Sequence, residues 1–260
     1  MVSIRDCGSR SPGSNPGPGP IFANDLSAVG QDFVGMAMTR PYVILNAAMT
    51  LDGKIATVAG DSKISCREDL DRLHKLRTEV DAVIVGVGTV LADDPSLTVR
   101  RVCGKNPIRV IVDGEARTPP NARVIDNSAD TIVAVTKKAK REKLEKLRNA
   151  GADIIIGGKK EVNLSWLLRK LHSRGVQKLL LEGGSILNWE MLKHGLVDEV
   201  QVAVAPQIVG GAKAKSLVGG AGFAKIRKGV KLKLSRVGRV GADLLLVYRV
   251  SGVRGAEKNR

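Results

Sequence analysis

The chain has 260 residues, of which 43% are hydrophobic and only 3% aromatic, and its formal net charge is +16 at neutral pH. A chain of this length can bury a substantial core in one or two domains without disulfide or metal staples. No apolar run reaches the roughly 18 residues of a membrane-spanning helix, and the N-terminus has no signal-peptide core, so we expect a cytoplasmic protein that does not contact a membrane.

The ends of the chain differ in composition from the middle. Seven of the ten residues 11–20 are Pro or Gly, a composition that predicts neither helix nor strand. We therefore expect a disordered extension over residues 1–39, one folded domain over residues 40–251 and a basic tail over residues 252–260.

Short apolar runs alternate with helical patterns along the middle of the chain. The runs predict strands at Tyr42–Ala48, Val80–Val85, Ile108–Val112, Thr131–Val135, Asp153–Ile156, Lys178–Leu181, Glu199–Ala205 and Leu244–Val250. Helical spacing predicts helices from a capping box at Ser65 and Glu68 to Thr78, and at Lys138–Asn149, Leu164–Ser173 and Ile186–His194. The alternation predicts an α/β fold whose sheet is mostly parallel, with antiparallel pairs among the late strands.

The positive charge is concentrated at the C-terminal end. Residues 225–260 carry eleven basic and two acidic side chains, a net +9. No RNA- or DNA-binding motif accompanies them. We expect no nucleic-acid partner and interpret the charge as favouring solubility and the attraction of phosphorylated ligands. A basic nucleic-acid-binding module is the non-enzymatic alternative.

Cysteine and histidine are too scattered to predict a metal site. The three cysteines have no CxxC spacing, and with the three histidines they form no zinc-ligand pattern, including that of a zinc deaminase. The residues are Cys7, Cys66, Cys103, His74, His172 and His194. A nucleophile elbow is also missing. Hydride chemistry therefore fits the chain better than covalent or metal catalysis.

Two glycine turns follow predicted strands, where ligands bind in α/β sheets. Gly86 and Gly88 lie in VGVGTVLADD, which is not a dinucleotide fingerprint because Leu91 replaces the third glycine. A tight strand exit is the alternative interpretation. Glu182-Gly183-Gly184-Ser185 precedes a predicted helix whose first amides can bind an anion. A carboxylate there would repel phosphate, so we expect Glu182 to face a different, donor-rich ligand.

Three further candidates have plain structural alternatives. Thr57 and Asp61 stand on either side of Gly60, an arrangement typical of a polar hairpin turn as well as of a binding loop. Arg77 and Arg100 can bind a phosphate through paired hydrogen bonds from their guanidinium groups. The alternative is that each is simply a solvated arginine, as is common in this arginine-rich chain. Asp52 and Gly53, in TLDG, are expected to shape a turn.

Six ordered segments together resemble the reductases of the riboflavin pathway. The segments are AMTLDGKIAT, GDSKIS, VGVGTVLADDPSLTVR, NPIRVIVDG, LLLEGGSILNWEML and GLVDEVQVAVAPQIVGG. The family contains stand-alone diaminohydroxyribosylaminopyrimidine-phosphate reductases and the reductase half of the bacterial deaminase-reductase. The resemblance implies a single dihydrofolate-reductase-like α/β domain and a homodimer.

The resemblance also implies a reaction. It would be NADPH-dependent reduction of the ribosylamino group of 2,5-diamino-6-(ribosylamino)pyrimidin-4-one 5′-phosphate to the ribitylamino form. The alternatives are a dihydrofolate-type reductase of the same fold and a reductase of the deaminated 5-amino-6-ribosylaminouracil phosphate.

The resemblance assigns binding residues and no catalytic side chain. The cofactor NADPH would contact Thr57, Asp61, Gly86, Val87, Gly88, Thr89, Asp93, Gly183, Gly184, Ser185 and Ile186. The pyrimidine ribose phosphate would contact Ser62, Lys63, Arg77, Leu97, Arg100 and Glu182. The loop at Lys63 is a residue shorter than in the bifunctional relatives and lacks their aromatic residue, which weakens the assignment of Lys63.

Overall fold

The computed structural model describes residues 39–251, so the expectations for residues 1–38 and 252–260 lie outside the described residues. The described part forms one nine-stranded sheet flanked by five α-helices. The strands are β1 (Tyr42–Thr50), β2 (Ala82–Gly86), β3 (Ile108–Val112), β4 (Thr131–Val135), β5 (Asp153–Ile156), β6 (Lys178–Leu181), β7 (Glu199–Ala205), β8 (Leu232–Val240) and β9 (Asp243–Val250). The helices are α1 (Arg67–Thr78), α2 (Val87–Asp93), α3 (Arg141–Asn149), α4 (Leu164–His172) and α5 (Ser185–Lys193).

The sheet is parallel except at one edge. Its strand order is β5-β4-β3-β2-β6-β1-β7-β9-β8. β7 pairs antiparallel with β9, and β9 pairs antiparallel with β8, whereas the other pairs are parallel. This arrangement confirms the predicted α/β fold with late antiparallel strands.

The central strands are buried on both faces, which is why their sequences are continuous apolar runs. One core cluster joins Val43 and Leu45 to the helices α4 and α5. The other joins Ile44 and Val83 to Leu76 of α1 and to α3. Successive residues of β1 thus supply opposite layers, as the two-residue period of a strand requires. With helices on both faces, ligand access is left to the edge where the parallel strands end.

Several predicted bounds shift by one to three residues, as in β1 and β2, and two elements were not predicted at all. β8 was not predicted: charged residues such as Lys233 and Arg236 interrupt any apolar run there, and most of the strand is exposed. It is nonetheless paired along its length with β9, with an irregularity between Leu234 and Arg236. α2 was also not expected, since seven residues following a glycine give too short a pattern.

The predicted capping box of α1 is wrong. The N-cap residue of α1 is Cys66 rather than Ser65, and no side chain caps the helix. The Cys66 amide donates instead to the carboxylate of Asp243 in β9, at 3.1 Å. A tertiary contact thus replaces the local cap that the sequence suggested.

Within residues 39–251 no helix is both long and apolar enough to cross a membrane.

Candidate functional site

The two glycine turns lie side by side at the carboxyl edge of the sheet. β2 and β6 are adjacent strands, and both turns leave from their ends. The Gly86 amide donates a hydrogen bond to the carbonyl oxygen of Gly183 at 2.8 Å, and the Glu182 amide donates to Ile84 O at 3.0 Å. β1 pairs with the other side of β6, so the loop after β1 reaches the same edge. Gly86 and Gly184 therefore lie close together and line the same cavity.

A cavity of about 180 Å³ opens between these loops. Its lining includes seven residues of the predicted cofactor set, namely Gly86, Gly88, Thr89, Asp93, Gly184, Ser185 and Ile186. A Cβ atom on Gly184 would lie 3.2 Å from Thr89 Oγ1, and one on Gly86 would lie 3.6 Å from Leu187 Cβ. The missing side chains thus keep the space between the turns open. Such a cradle, with α5 starting at Ser185, fits a phosphorylated ligand.

Two members of the predicted cofactor set are buried and do not line the cavity. Val87, the first residue of α2, packs its side chain in the core, so only its backbone is available to a ligand. Gly183 has φ = 88°, a conformation that favours glycine, and the peptide bond between it and Gly184 is cis. Their proposed cofactor contacts are therefore limited to main-chain atoms.

Thr57 and Asp61 contact each other. The Thr57 amide donates to Asp61 O at 2.9 Å, and the Asp61 amide donates to Thr57 Oγ1 at 3.2 Å. The Asp61 carboxylate accepts from the amide of Lys63 at 3.1 Å. These hydrogen bonds are those of a polar hairpin turn, which the sequence analysis gave as the alternative to a binding loop. The cofactor contacts of Thr57 and Asp61 and the substrate contact of Lys63 stay predictions.

Ser62, in the same loop, lines the cavity, as does Gly60. The Ser62 hydroxyl lies 3.4 Å from Asp93 Oδ1, at the end of α2. A residue assigned to the substrate and one assigned to the cofactor therefore meet at one place. This contact joins the loop after β1 to the helix after β2.

Arg77 and Glu182 form a buried ion pair, which the sequence did not predict. Arg77 Nε donates to Glu182 Oε1 at 2.8 Å and Nη2 to Oε2 at 2.7 Å, while Nη1 donates to Thr98 O at 2.9 Å. The two side chains are 7% and 11% exposed. Burial opposes the charge on Arg77, but the Glu182 carboxylate outweighs it and raises the pKa of the guanidinium. Arg77 holds Glu182 in place here, and its expected grip on a phosphate stays a prediction.

Arg100 differs from Arg77 in having no carboxylate partner within residues 39–251. Its Nη1 donates to the hydroxyl of Thr98 at 2.9 Å. Burial lowers the pKa of Arg100, as do the positive charges of Arg77 and Arg123. Three arginines thus create positive potential at the segment after α2, where a phosphate would be stabilised. Arg123 was missed because a lone arginine in a loop carries no sequence signal.

Leu97 is a special position of the same segment. Its side chain is 2% exposed and packs in the core, while its backbone has φ = 52°, an uncommon conformation for a residue with a large side chain. A ligand contact of Leu97 is therefore restricted to its main-chain atoms.

Lys215 is a second residue that the sequence interpretation missed. It lines the same cavity as the glycine turns, and no acidic side chain pairs with it in the described part of the chain. The Ile55 amide donates to Lys215 O at 2.8 Å, and Lys54 forms an isolated bridge with Ser216. This pairing spans about 160 residues, so no local pattern could have revealed it.

Asp52 has the structural role that the sequence predicted. Its carboxylate accepts from the Thr50 hydroxyl at 2.6 Å and from the Gly210 amide at 2.8 Å. These hydrogen bonds, that from Thr50 above all, lower the pKa of Asp52. Gly53 has φ = 76°, which a turn with a glycine can adopt. Both residues shape the loop after β1.

A larger cavity of about 430 Å³ lies at the opposite edge of the sheet. It is lined by Lys105, Asn106, Ile125–Asp130 and Gly151. We assign the functional site to the smaller cavity because the glycine turns and the open carboxyl ends of β2 and β6 meet there. Residues 39–251 contain no cluster of three or more His, Cys, Asp or Glu side chains that could hold a metal ion.

The chain is similar in sequence to known proteins. The chain is 52% identical over 216 residues to the 2,5-diamino-6-ribosylamino-4(3H)-pyrimidinone 5′-phosphate reductase of Methanothermobacter thermautotrophicus, a match that covers 82% of this chain and 100% of that protein. A protein of the same name from Aquifex aeolicus is 40% identical over 219 residues, with coverage of 82% and 98%.

Solved structures agree with these relatives. The deaminase/5-amino-6-(5-phosphoribosylamino)uracil reductase of Thermotoga maritima matches with a TM-score of 0.69 and 30% identity, over 81% of this chain and 57% of that one. The riboflavin biosynthesis reductase Rib7 of Saccharomyces cerevisiae, at 22% identity and a TM-score of 0.66, shares the fold, with coverage of 84% and 93%. The profile of the RibD C-terminal domain matches residues 41–246. The chain therefore belongs to the RibD C-terminal domain family.

Proposed function

We propose that the chain reduces the ribosylamino group of 2,5-diamino-6-(ribosylamino)pyrimidin-4-one 5′-phosphate to the ribitylamino form, with NADPH as the hydride donor. The sugar opens to an imine, C1′ receives hydride and the nitrogen takes up a proton. The observation that carries the proposal is the hydrogen bond between Gly86 and Gly183, which brings two glycine turns to one cavity. The family relationship supports the same reaction.

Glu182 and Arg100 suit the two ends of this substrate. The Glu182 carboxylate is held by Arg77, yet its oxygens have further lone pairs for the amino and ring N–H donors of a diaminopyrimidinone. Arg100 lies near the same pair and suits the 5′-phosphate. We infer that the chain binds and orients, since no side chain needs to form a covalent bond with substrate.

The cavity also fits a nicotinamide dinucleotide. Backbone amides at Gly184 and Ser185 and the space at Gly86 suit its pyrophosphate, and Asp93 suits a ribose hydroxyl as hydrogen-bond acceptor. Lys215, with no acidic partner among the described residues, adds positive charge to the lining. An unpaired lysine beside a dinucleotide favours the additional phosphate of NADPH over NADH.

We propose that the functional unit is a homodimer. The outer face of the β8–β9 hairpin exposes Leu232 by 45%, Leu234 by 50%, Val237 by 52% and Leu244 by 42%. Such an apolar face on an edge strand is typical of an interaction surface. Light scattering of the wild-type chain and of Leu234→Lys should give a dimer and a monomer, respectively. A monomeric wild-type chain would contradict the assignment.

The reaction is tested by following NADPH oxidation at its absorbance band. We expect turnover with the diamino ribosylaminopyrimidinone phosphate and none with dihydrofolate. Faster turnover of the deaminated uracil compound would favour the alternative substrate order. If no pyrimidine is reduced, and the chain instead shifts nucleic acid in a salt-dependent way that survives Arg100→Ala, the proposal is wrong and a nucleic-acid module is favoured.

A further inference from the structure

α1 contains a buried histidine that the proposed reaction does not use. His74 is 4% exposed, and its Nδ1 accepts a hydrogen bond from the backbone amide of Arg100 at 2.9 Å. The two residues are 26 positions apart and belong to different elements. An amide in a loop is ordinarily satisfied by water or by a nearby carbonyl, so this bond ties the backbone of Arg100 to a rigid helix.

The bond from His74 is one of two ties between α1 and the segment 98–100. One turn further along α1, Arg77 Nη1 donates to Thr98 O at 2.9 Å, while the Arg100 side chain donates to the Thr98 hydroxyl. Arg77 in turn holds the carboxylate of Glu182. Residues separated by three positions share one face of a helix. That face therefore fixes, together, the residues proposed for the two ends of the substrate.

The charge state of the imidazole agrees with this bond. Nδ1 can accept a hydrogen bond only when it carries no proton. Burial above all, together with the nearby charges of Arg77, Arg100 and Arg101 and against the opposing effect of Glu182, lowers the pKa of His74 to about 4. The ring is neutral at pH 7 and does not add a positive charge to the three arginines.

Neighbouring arginines show why the tie matters. Arg101 is paired with Asp71 on the surface, whereas Arg100 has no carboxylate partner in the part of the chain that the structure describes. The side chain of Arg100 is therefore the one of the two that is available to a phosphate. Thr98 and Val99 are held by other hydrogen bonds, and the bond to His74 is the one that holds the backbone amide of Arg100 itself.

We propose that His74 is a positioning residue, which fixes the backbone of Arg100 so that its guanidinium meets the phosphate of the substrate. The proposal rests on the proposed function for the identity of that substrate. It does not make His74 an acid, a base or a direct ligand. It requires a hydrogen-bond acceptor at the place of Nδ1.

The test uses three substitutions at this position in the full chain. Asn places its Oδ1 near the position of Nδ1, Gln places its oxygen nearer Nε2, and Leu offers no acceptor. His74→Leu should raise the KM for the phosphorylated substrate about fivefold to tenfold, as expected for one lost hydrogen bond. The value of kcat and the Kd for NADPH should change by less than about twofold. His74→Asn should restore most of the affinity, and His74→Gln less.

Controls separate positioning from loss of fold and from failure of the proposed reaction. His172→Leu, in α4 and away from the segment, should leave the KM unchanged, and thermal unfolding identifies any variant that does not fold. Calorimetry measures the affinity of the same site for inorganic phosphate without turnover. His74→Leu and Arg100→Ala should both weaken this affinity.

Two results would overturn the inference. In one, His74→Leu leaves phosphate binding and KM unaltered while Arg100→Ala weakens both. In the other, His74→Asn and His74→Gln behave alike. A wild-type chain that binds phosphate through Arg100 but never oxidises NADPH would contradict the proposed function and leave the positioning role intact.

Discussion

Removing one partner of the Arg77–Glu182 pair should destabilise the protein strongly. Both side chains are about nine-tenths buried, and two hydrogen bonds of 2.7 and 2.8 Å join them. Loss of either partner leaves a buried charge without compensation, which costs about 3–5 kcal/mol. Glu182→Gln keeps the size of the side chain and removes its charge. We expect this variant to lose about 3 kcal/mol of the free energy of unfolding.

The coupling between the two residues can be measured with a double-mutant cycle. Arg77→Met and Glu182→Leu should each cost about 3–4 kcal/mol, but the double variant should cost much less than their sum, because no charge is then left unpaired. Urea unfolding gives these values. With a denaturant dependence of about 2 kcal/mol per molar, a loss of 3 kcal/mol moves the midpoint by about 1.5 M.

A surface pair in the same protein provides the control. Arg141 and Glu145 lie 2.8 Å apart in α3 with side chains 92% and 51% exposed. Glu145→Gln should change stability by less than about 0.5 kcal/mol, since water screens exposed pairs. If Glu182→Gln costs as little as this control, or if the two single losses add, the pair is not the structural unit that its geometry indicates.

The Arg77–Glu182 pair is a feature of the site that the sequence could not predict. The two glycine turns could be placed together from sequence, because the carboxyl ends of parallel strands meet at one edge. Glu182 was recognised as unusual beside a phosphate-binding turn. Its partner could not be found, since Arg77 lies 105 positions away on a helix face that only the packing of α1 against the sheet defines.

Element prediction succeeded where burial dictates the pattern. β3, β4, β6 and β7 have the predicted bounds because each is a largely apolar run with a neighbouring strand on both sides. β5 also has the predicted bounds, although it is an edge strand that pairs with β4 only. β8 lies at the edge of the sheet and pairs with one strand only. Its pattern is mixed because one residue is inserted between Leu234 and Arg236. A pattern that depends on pairing rather than on burial is not visible in the sequence alone.

Three further changes test charges around the site. Lys215→Ala should raise the Kd for NADPH about tenfold in a fluorescence titration, since one phosphate contact is lost. The Kd for NADH should change little, and the control Lys213→Ala should have no effect; equal losses for both cofactors would place Lys215 away from the extra phosphate. Arg123→Ala should raise the KM for phosphorylated substrate about fivefold through loss of positive charge near the phosphate, whereas the exposed Arg148→Ala should not. The last change concerns pH. Because burial lowers the pKa of His74 to about 4 from about 6.5 in the unfolded chain, the unfolded state binds more protons between these values. Stability therefore falls as the pH falls from 7 to 5, by about 1–2 kcal/mol for this group. Urea unfolding of His74→Asn, which has no titrating ring, should show a correspondingly smaller loss, and an identical loss in both proteins would mean that folding does not lower the pKa of His74.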